Sequence, residues 1–258
     1  MKFDADLTAC AELVRRADPD RFMAAMAAPP PARRVLFPVY ALNVEVARAP
    51  WVTQETMIAE MRLQWWRDAL GEIAIGKQVR RHEVVTPLAS ILNPELAAQA
   101  DEMIAVRRWD IYRDPFEDEA HFHRYIDQSA GTLMCLAACG LGQADTGVVR
   151  DFAFAAGIAG WLRAIPDLEA RKRVPLLDGT PDGVRALAQL GLDKLAQARA
   201  RRGAVSPQAA PALLAGWQAE TVLKQALQDP GRVSAGNLGT SEARKRLGLM
   251  LRSATGRW

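Results

Sequence analysis

Cysteine is scarce in this chain. Cys10, Cys135 and Cys139 are the only three in 258 residues, too few for a disulfide framework, so a reducing compartment is expected. Cys135 and Cys139 stand one helical turn apart among small residues. Core packing is their first reading, because no nearby histidine completes a metal site. His121 and His123 are two apart, on different faces of any helix, and do not make a metal pair either. Long apolar runs are missing too: no window reaches the ~18 consecutive apolar residues needed to span a bilayer. The N-terminal stretch carries acids and reads as neither a signal peptide nor a basic transit peptide. The expected location is cytoplasmic, with peripheral contact at the inner membrane left open. A net charge of +3, without a basic stripe interleaved with aromatics, excludes nucleic acid as an expected partner. No Gly-rich phosphate loop, GxSxG elbow or Cys–His nucleophile is present. Alternating strand patterns are almost absent, which leaves an all-α class.

What is there is helical punctuation. Helices are expected over about 4–16, 19–28, 33–49, from an N-cap at Thr53 to about 75, and over 94–109 and 116–139. A central helix should run from Asp145 or Thr146 to about Ile165. Beyond it, 181–191, 192–202, 206–228 and 241–252 read as helices. On the helix after Thr53, the spacing assigns Met57, Ile58, Met61, Trp65 and Ala69 to the apolar face. The expected architecture is one helical bundle over 1–258, its central helices surrounding a cavity.

The most telling segment is WLRAIPDLEARKRVPL, Trp161 to Leu176. It follows a long apolar run, and a helix crossing an all-α core can mount two carboxylates one turn apart to hold Mg2+ against a diphosphate. The candidate positions here are Ala164 and Leu168. Asp167 and Glu169 lie close by, but a spacing of two sets them on different faces, and Pro166 is expected to disturb the turn between them.

With PPPARRVLFPVYALNVEVAR (29–48) and EMRLQWWRDAL (60–70), that segment resembles the squalene/phytoene synthase family of head-to-head prenyl transferases. Arg163, Arg173, Val174 and Leu176 match the family's pattern, and Tyr40, Ala41 and Leu42 fit the opening of its first motif. At the family's aspartate positions this chain has Ala47, Arg48 and Trp51, then Ala164 and Leu168. The resemblance implies an isoprenoid-synthase-type bundle whose Mg2+–diphosphate machinery is degenerate. The spelling is similar to a branch that serves as an assembly factor for respiratory complex I. That likeness implies a non-catalytic protein without a cofactor, whose partners are respiratory-complex subunits or an isoprenoid or lipid ligand. The alternative is an active prenyl transferase that condenses farnesyl or geranylgeranyl diphosphate, with Mg2+ held by relocated acids.

The acids available for such a rescue are Glu45, Asp110 and Asp167, with Asp68, Asp127 and Glu169 behind them; each reads first as a capping or surface group. Arg62, Arg67, Arg163 and Arg173 are the diphosphate or ligand candidates, since the guanidinium fork donates two hydrogen bonds at once. Tyr40 and Trp65 are the matching ring candidates. Trp65 and Trp66 form the strongest aromatic signal, read as core packing or as a cavity wall. Ala47, Trp51 and Leu168 are expected to fill part of the space that metal and water would need.

Overall fold

The computed structural model describes residues 4–53, 55–112 and 114–258. Among them no strand forms; a lone antiparallel bridge joins Ala144 and Val205. Helix α1 is Ala5–Ala17, capped by the Asp4 carboxylate at the Leu7 amide, and α2 is Pro19–Ala27, capped by Asp18. Both follow the usual logic of an acidic N-cap, with proline at the first helical position of α2. After a 3-10 turn at Pro30–Ala32, α3 (Arg33–Arg48) passes through Pro38 and ends in a second 3-10 turn, Ala49–Trp51.

Helix α4 is Thr56–Ala74, α5 is Val85–Leu88, α6 is Pro94–Val106 and α7 is the single turn Trp109–Tyr112. Thr53 does not cap α4; its hydroxyl accepts from the Glu55 amide three residues before the helix begins. The expected apolar face of α4 is also corrected. Met57, Ile58 and Met61 are exposed, Ala69 is buried as expected, and the buried stripe is Ala59, Leu63, Trp66, Ala69, Leu70 and Ile73, turned toward α6. Trp66 is therefore the core residue and Trp65 the half-buried one. The outward methionines of the first turns shift the apparent apolar phase by one residue, about 100° around the axis.

Helices α8 (Glu119–Ile126) and α9 (Thr132–Leu141) are joined by a π-helical turn, Asp127–Gly131. Helix α10, Thr146–Ala170, lies against α9, the π turn, α11 (Pro181–Ala200) and α12 (Ala219–Gln228). Pro166 does not end α10. Buried Leu162 and Ile165 hold the turn before it, and the helix continues to a stop at Lys172, whose φ is 61°. Gly191 does not divide 181–202 into two helices either; it lets α11 approach Leu223, whose methyls would lie 3.0 Å from a Cβ there. The expected helix over 206–228 is instead a run of 3-10 turns, Ala210–Gly216, and only then α12. Pro207 and Pro211 remove two amide donors from that stretch. Helices α13 (Gly231–Ser234) and α14 (Glu242–Thr255) complete the chain.

One cluster of buried side chains runs from Leu7 to Trp258 and draws on almost every helix. Each large apolar side chain in it contributes roughly 1.5–3 kcal/mol of burial. Among the described residues, no helix is long and apolar enough to cross a membrane.

Candidate functional site

The inner face of α10 is made of small residues. Ala153, Ala156, Gly157, Gly160 and Ala164 recur at spacings of three and four and leave room beside the axis. A Cβ on Gly157 would come within 2.7 Å of Ile126, so glycine is what allows α10 to approach α8; a Cβ on Gly160 would meet nothing within 4 Å. The space this opens has two lobes that share Arg21, Ala130, Leu133, Ala156, Gly157 and Gly160. The larger is about 290 Å³ and the smaller about 140 Å³.

The continuation of α10 through Pro166 sets Ala164 and Leu168 on one helical face, and both line the larger lobe. Ala47 from α3 and Trp51 from the turn after it line the same lobe. Four positions that would need carboxylates to hold a metal thus meet around one space and carry two alanines, a leucine and an indole. Arg48 points outward, pairing with Glu45 at 3.2 Å.

The carboxylate facing this lobe from α7 is Asp110, only 6% exposed. It is already engaged. The Tyr125 hydroxyl donates to its Oδ1 at 2.9 Å, and Arg107 Nη1 donates to Oδ2 at 3.3 Å. Arg173 Nη2 stands 3.7 Å from Oδ1, while its Nη1 donates to the Asp110 carbonyl at 2.7 Å. Burial pushes the Tyr125 hydroxyl above its ordinary pKa, although the Arg107 charge opposes the shift, so the phenol stays a donor. Two guanidiniums face one carboxylate, and the cluster is net positive. The buried Nε of Arg107 has no acceptor among the described residues. Arg173 also lies 4.3 Å over the Trp109 ring, and Arg171 lies 4.6 Å over Trp51. Such a wall suits an acceptor or an apolar group and repels a dication. These residues do not fit Mg2+. Among the described residues, no three of His, Cys, Asp and Glu gather closely enough to hold a metal ion.

The smaller lobe is lined by Asp18, Asp20, Arg21, Tyr40 and Arg163, among others. Arg21 is ion-paired with Asp18. Arg163, on the rim, donates to Asp20 at 2.9 Å, and Gln218 donates to the same oxygen at 2.8 Å. Tyr40 is buried, its hydroxyl 3.4 Å from the Ala212 carbonyl, and desolvation raises its pKa.

Of the acids, arginines and rings singled out in the sequence as ligand candidates, Tyr40, Asp110 and Arg163 line these lobes beside the four motif positions, and Arg173 braces Asp110 from behind. The others lie elsewhere. Glu45 is held by Arg48, Asp167 and Arg62 are exposed, and Arg67 makes a bidentate pair with Asp101 (2.7 and 2.9 Å) that ties α4 to α6. Trp65 packs edge-on to Trp66 at 4.9 Å, beneath Arg80, outside the lobes. The rings at the larger lobe are Trp51, Tyr125 and Trp161. Trp161 stands 5.3 Å from Tyr125, and its Nε1 donates to the Pro175 carbonyl. Sequence reasoning passed over Tyr125 and Arg21. The signal within reach was the small-residue spacing of α10, which marks the open side of the helix.

Comparisons with known proteins agree with this geometry. A dehydrosqualene synthase, solved in complex with a ligand, superposes with a TM-score of 0.79 at 14% identity, covering 97% of this chain and 95% of that one. A squalene synthase from Alicyclobacillus acidocaldarius superposes at 0.69 with 17% identity, over 86% of this chain and 93% of that one. At these identities the likeness establishes the fold. Two curated relatives are homologues of NADH dehydrogenase (ubiquinone) complex I assembly factor 6. The Drosophila melanogaster protein is 27% identical over 65% of this chain, and the Dictyostelium discoideum protein 25% over 54%. The chain spans about half the length of these relatives, 53% of the first and 40% of the second. The family model for squalene/phytoene synthases matches residues 14–177, more than half of the sequence and the whole of the cavity's α3 and α7–α10 walls: the chain belongs to the squalene/phytoene synthase family.

Proposed function

We propose that this protein is a non-catalytic member of its family that assists the assembly of respiratory complex I. It would work on the cytoplasmic side, beside the membrane that holds the complex. The observation that carries the reading is the composition of the larger lobe. Ala47, Trp51, Ala164 and Leu168 surround it, and its buried Asp110 is neutralised by Arg107 and Arg173. Ionising an allylic diphosphate leaves pyrophosphate, whose charge must be balanced by dications bound through carboxylates. A wall that carries Arg21 and Arg107 and one committed carboxylate offers no such anchor. The names of the curated relatives, both complex I assembly factors, support the direction of the reading.

Two measurements test it together. Purified protein incubated with Mg2+ and labelled farnesyl or geranylgeranyl diphosphate should release no pyrophosphate above the rate without protein. A strain lacking the gene should lose NADH:ubiquinone oxidoreductase activity in its membranes while its carotenoids and hopanoids stay at wild-type levels. Turnover in the first assay, or unchanged complex I activity in the second, would sink the proposal.

A further inference from the structure

Helix α14 carries its largest apolar side chains on the outside. Leu247, Met250 and Leu251 are 58%, 67% and 58% exposed, and exposed Ala243 and Ala254 extend the same stripe. These five positions fall within an arc of about 100° on the helix. The opposite face is the one that docks. Leu249 is buried with Ala24, Leu214 and Trp217, and the Ser253 hydroxyl donates to the Ala27 carbonyl at 2.7 Å. Arg252 lies 3.8 Å from Glu220, and Lys245 lies 3.9 Å from Asp20. The chain end is pinned as well. Trp258 is 2% exposed, its ring meets Phe152 edge-on at 5.0 Å, and its carbonyl accepts from Arg199 and Arg202. A helix so firmly seated presents its outward stripe as a fixed surface.

The borders of that stripe are basic. Arg244 flanks it on one side and Arg246 on the other; both are exposed, and neither is ion-paired with a described residue. The acid of this helix, Glu242, is paired with Lys245 at 2.8 Å. An apolar strip between two unpaired guanidiniums matches the boundary between acyl chains and anionic headgroups, where long basic side chains reach up to phosphate while the apolar ones enter. The exposed apolar side chains of α4, Met57, Ile58 and Met61, have a basic border on one side alone, exposed Arg62, while the other side carries the Glu60 carboxylate held by Arg108 and Tyr112.

We infer that the outward face of α14 is a docking surface for an anionic lipid bilayer. The chain lies on the membrane through Leu247, Met250 and Leu251, with Arg244 and Arg246 on headgroup phosphates. The inference does not depend on the role in complex I assembly and can fail separately from it.

Co-sedimentation of the full chain with phosphatidylcholine vesicles, with and without phosphatidylglycerol, is the test. Wild-type protein should pellet with the anionic vesicles and stay largely in solution with the neutral ones, binding more weakly as salt rises. Arg244→Gln/Arg246→Gln should weaken partition by roughly fivefold per arginine, and Leu247→Glu/Leu251→Glu should abolish it. Both variants alter exposed side chains, so circular dichroism and melting temperature should match wild type. Met57→Glu/Met61→Glu should pellet like wild type. The inference falls if wild-type protein ignores anionic vesicles, if the α14 variants pellet unchanged, or if the α4 variant loses binding equally. It falls too if the leucine variant changes only the molecular mass in light scattering, which would make this face an interface between copies of the chain.

Discussion

Asp110 shows how one residue can keep its place at a site while its chemistry is spoken for. Its carboxylate accepts from Tyr125 and pairs with Arg107 and Arg173, and all of these groups are buried or nearly so. Breaking a buried ion pair from one side leaves an uncompensated charge and costs about 3–5 kcal/mol. Asp110→Asn should therefore lower the unfolding free energy by about that amount in urea titrations, because Arg107 and Arg173 keep their charges. Tyr125→Phe removes the hydrogen bond given to Asp110 and the one accepted from Arg107 at 2.8 Å, each to a charged partner and worth about 1.5–3 kcal/mol, so its cost should be comparable to that of Asp110→Asn. If Asp110→Asn proved neutral, the carboxylate would not be balancing the guanidiniums, and the case against a metal at this cluster would weaken with it.

Ion pairs also tie one element to another, and Glu220 makes one such junction. It sits on α12, accepts from Arg199 of α11 at 2.6 Å and from Lys224 at 2.7 Å, and lies 3.8 Å from Arg252 of α14. Hydrogen bonds from Lys224 and Arg199 pull its pKa from 4.5 down to about 2. A depressed carboxylate contributes stability above its unfolded pKa and loses it as the pH falls through the folded value. Stability on the order of 2 kcal/mol, discounted for partial exposure, should fade between pH 4.5 and about 2. Glu220→Gln should flatten that part of the pH–stability curve; an unchanged acid limb would show that the ties carry no net energy. Helix positions of this kind were largely legible in the sequence, since Asp18-Pro19, Asn93-Pro94 and Asp145 each cap a helix where the pattern puts one. The rotational phase of α4 was not. Its first turns are exposed and apolar, and the choice between Trp65 and Trp66 is made by α6, which no local pattern encodes. The run after Ser206 misled for a related reason: apolar spacing persists there, but two prolines and tertiary packing favour 3-10 turns.

For the molecule as a whole, the bundle and the reaction its relatives perform rest on different residues. The core draws on apolar side chains along almost every helix, whereas the reaction needs a few acids around one lobe, so the acids can be lost while the fold stays. That is why the motif positions still converge on one lobe although they lack the expected residues. The walls supplied by Tyr125, Arg21 and the π turn depend on helix packing and were not readable there. If this separation is real, it should run backwards. A variant with Ala47→Asp, Trp51→Asp, Ala164→Asp and Leu168→Asp gathers four carboxylates around one lobe beside Arg107 and Arg173. Without metal their mutual repulsion should lower Tm. Mg2+ bound to the native state at about 100 times its Kd should return about 2.7 kcal/mol, a rise of about 5–10 °C for a chain of this size. Wild-type Tm should not move with Mg2+, since Asp110 in its lobe is already paired with Arg107 and Arg173. A wild-type melting curve that shifts upward with millimolar Mg2+ would mean that the missing acids have been replaced from somewhere else, and the non-catalytic reading would lose its electrostatic basis.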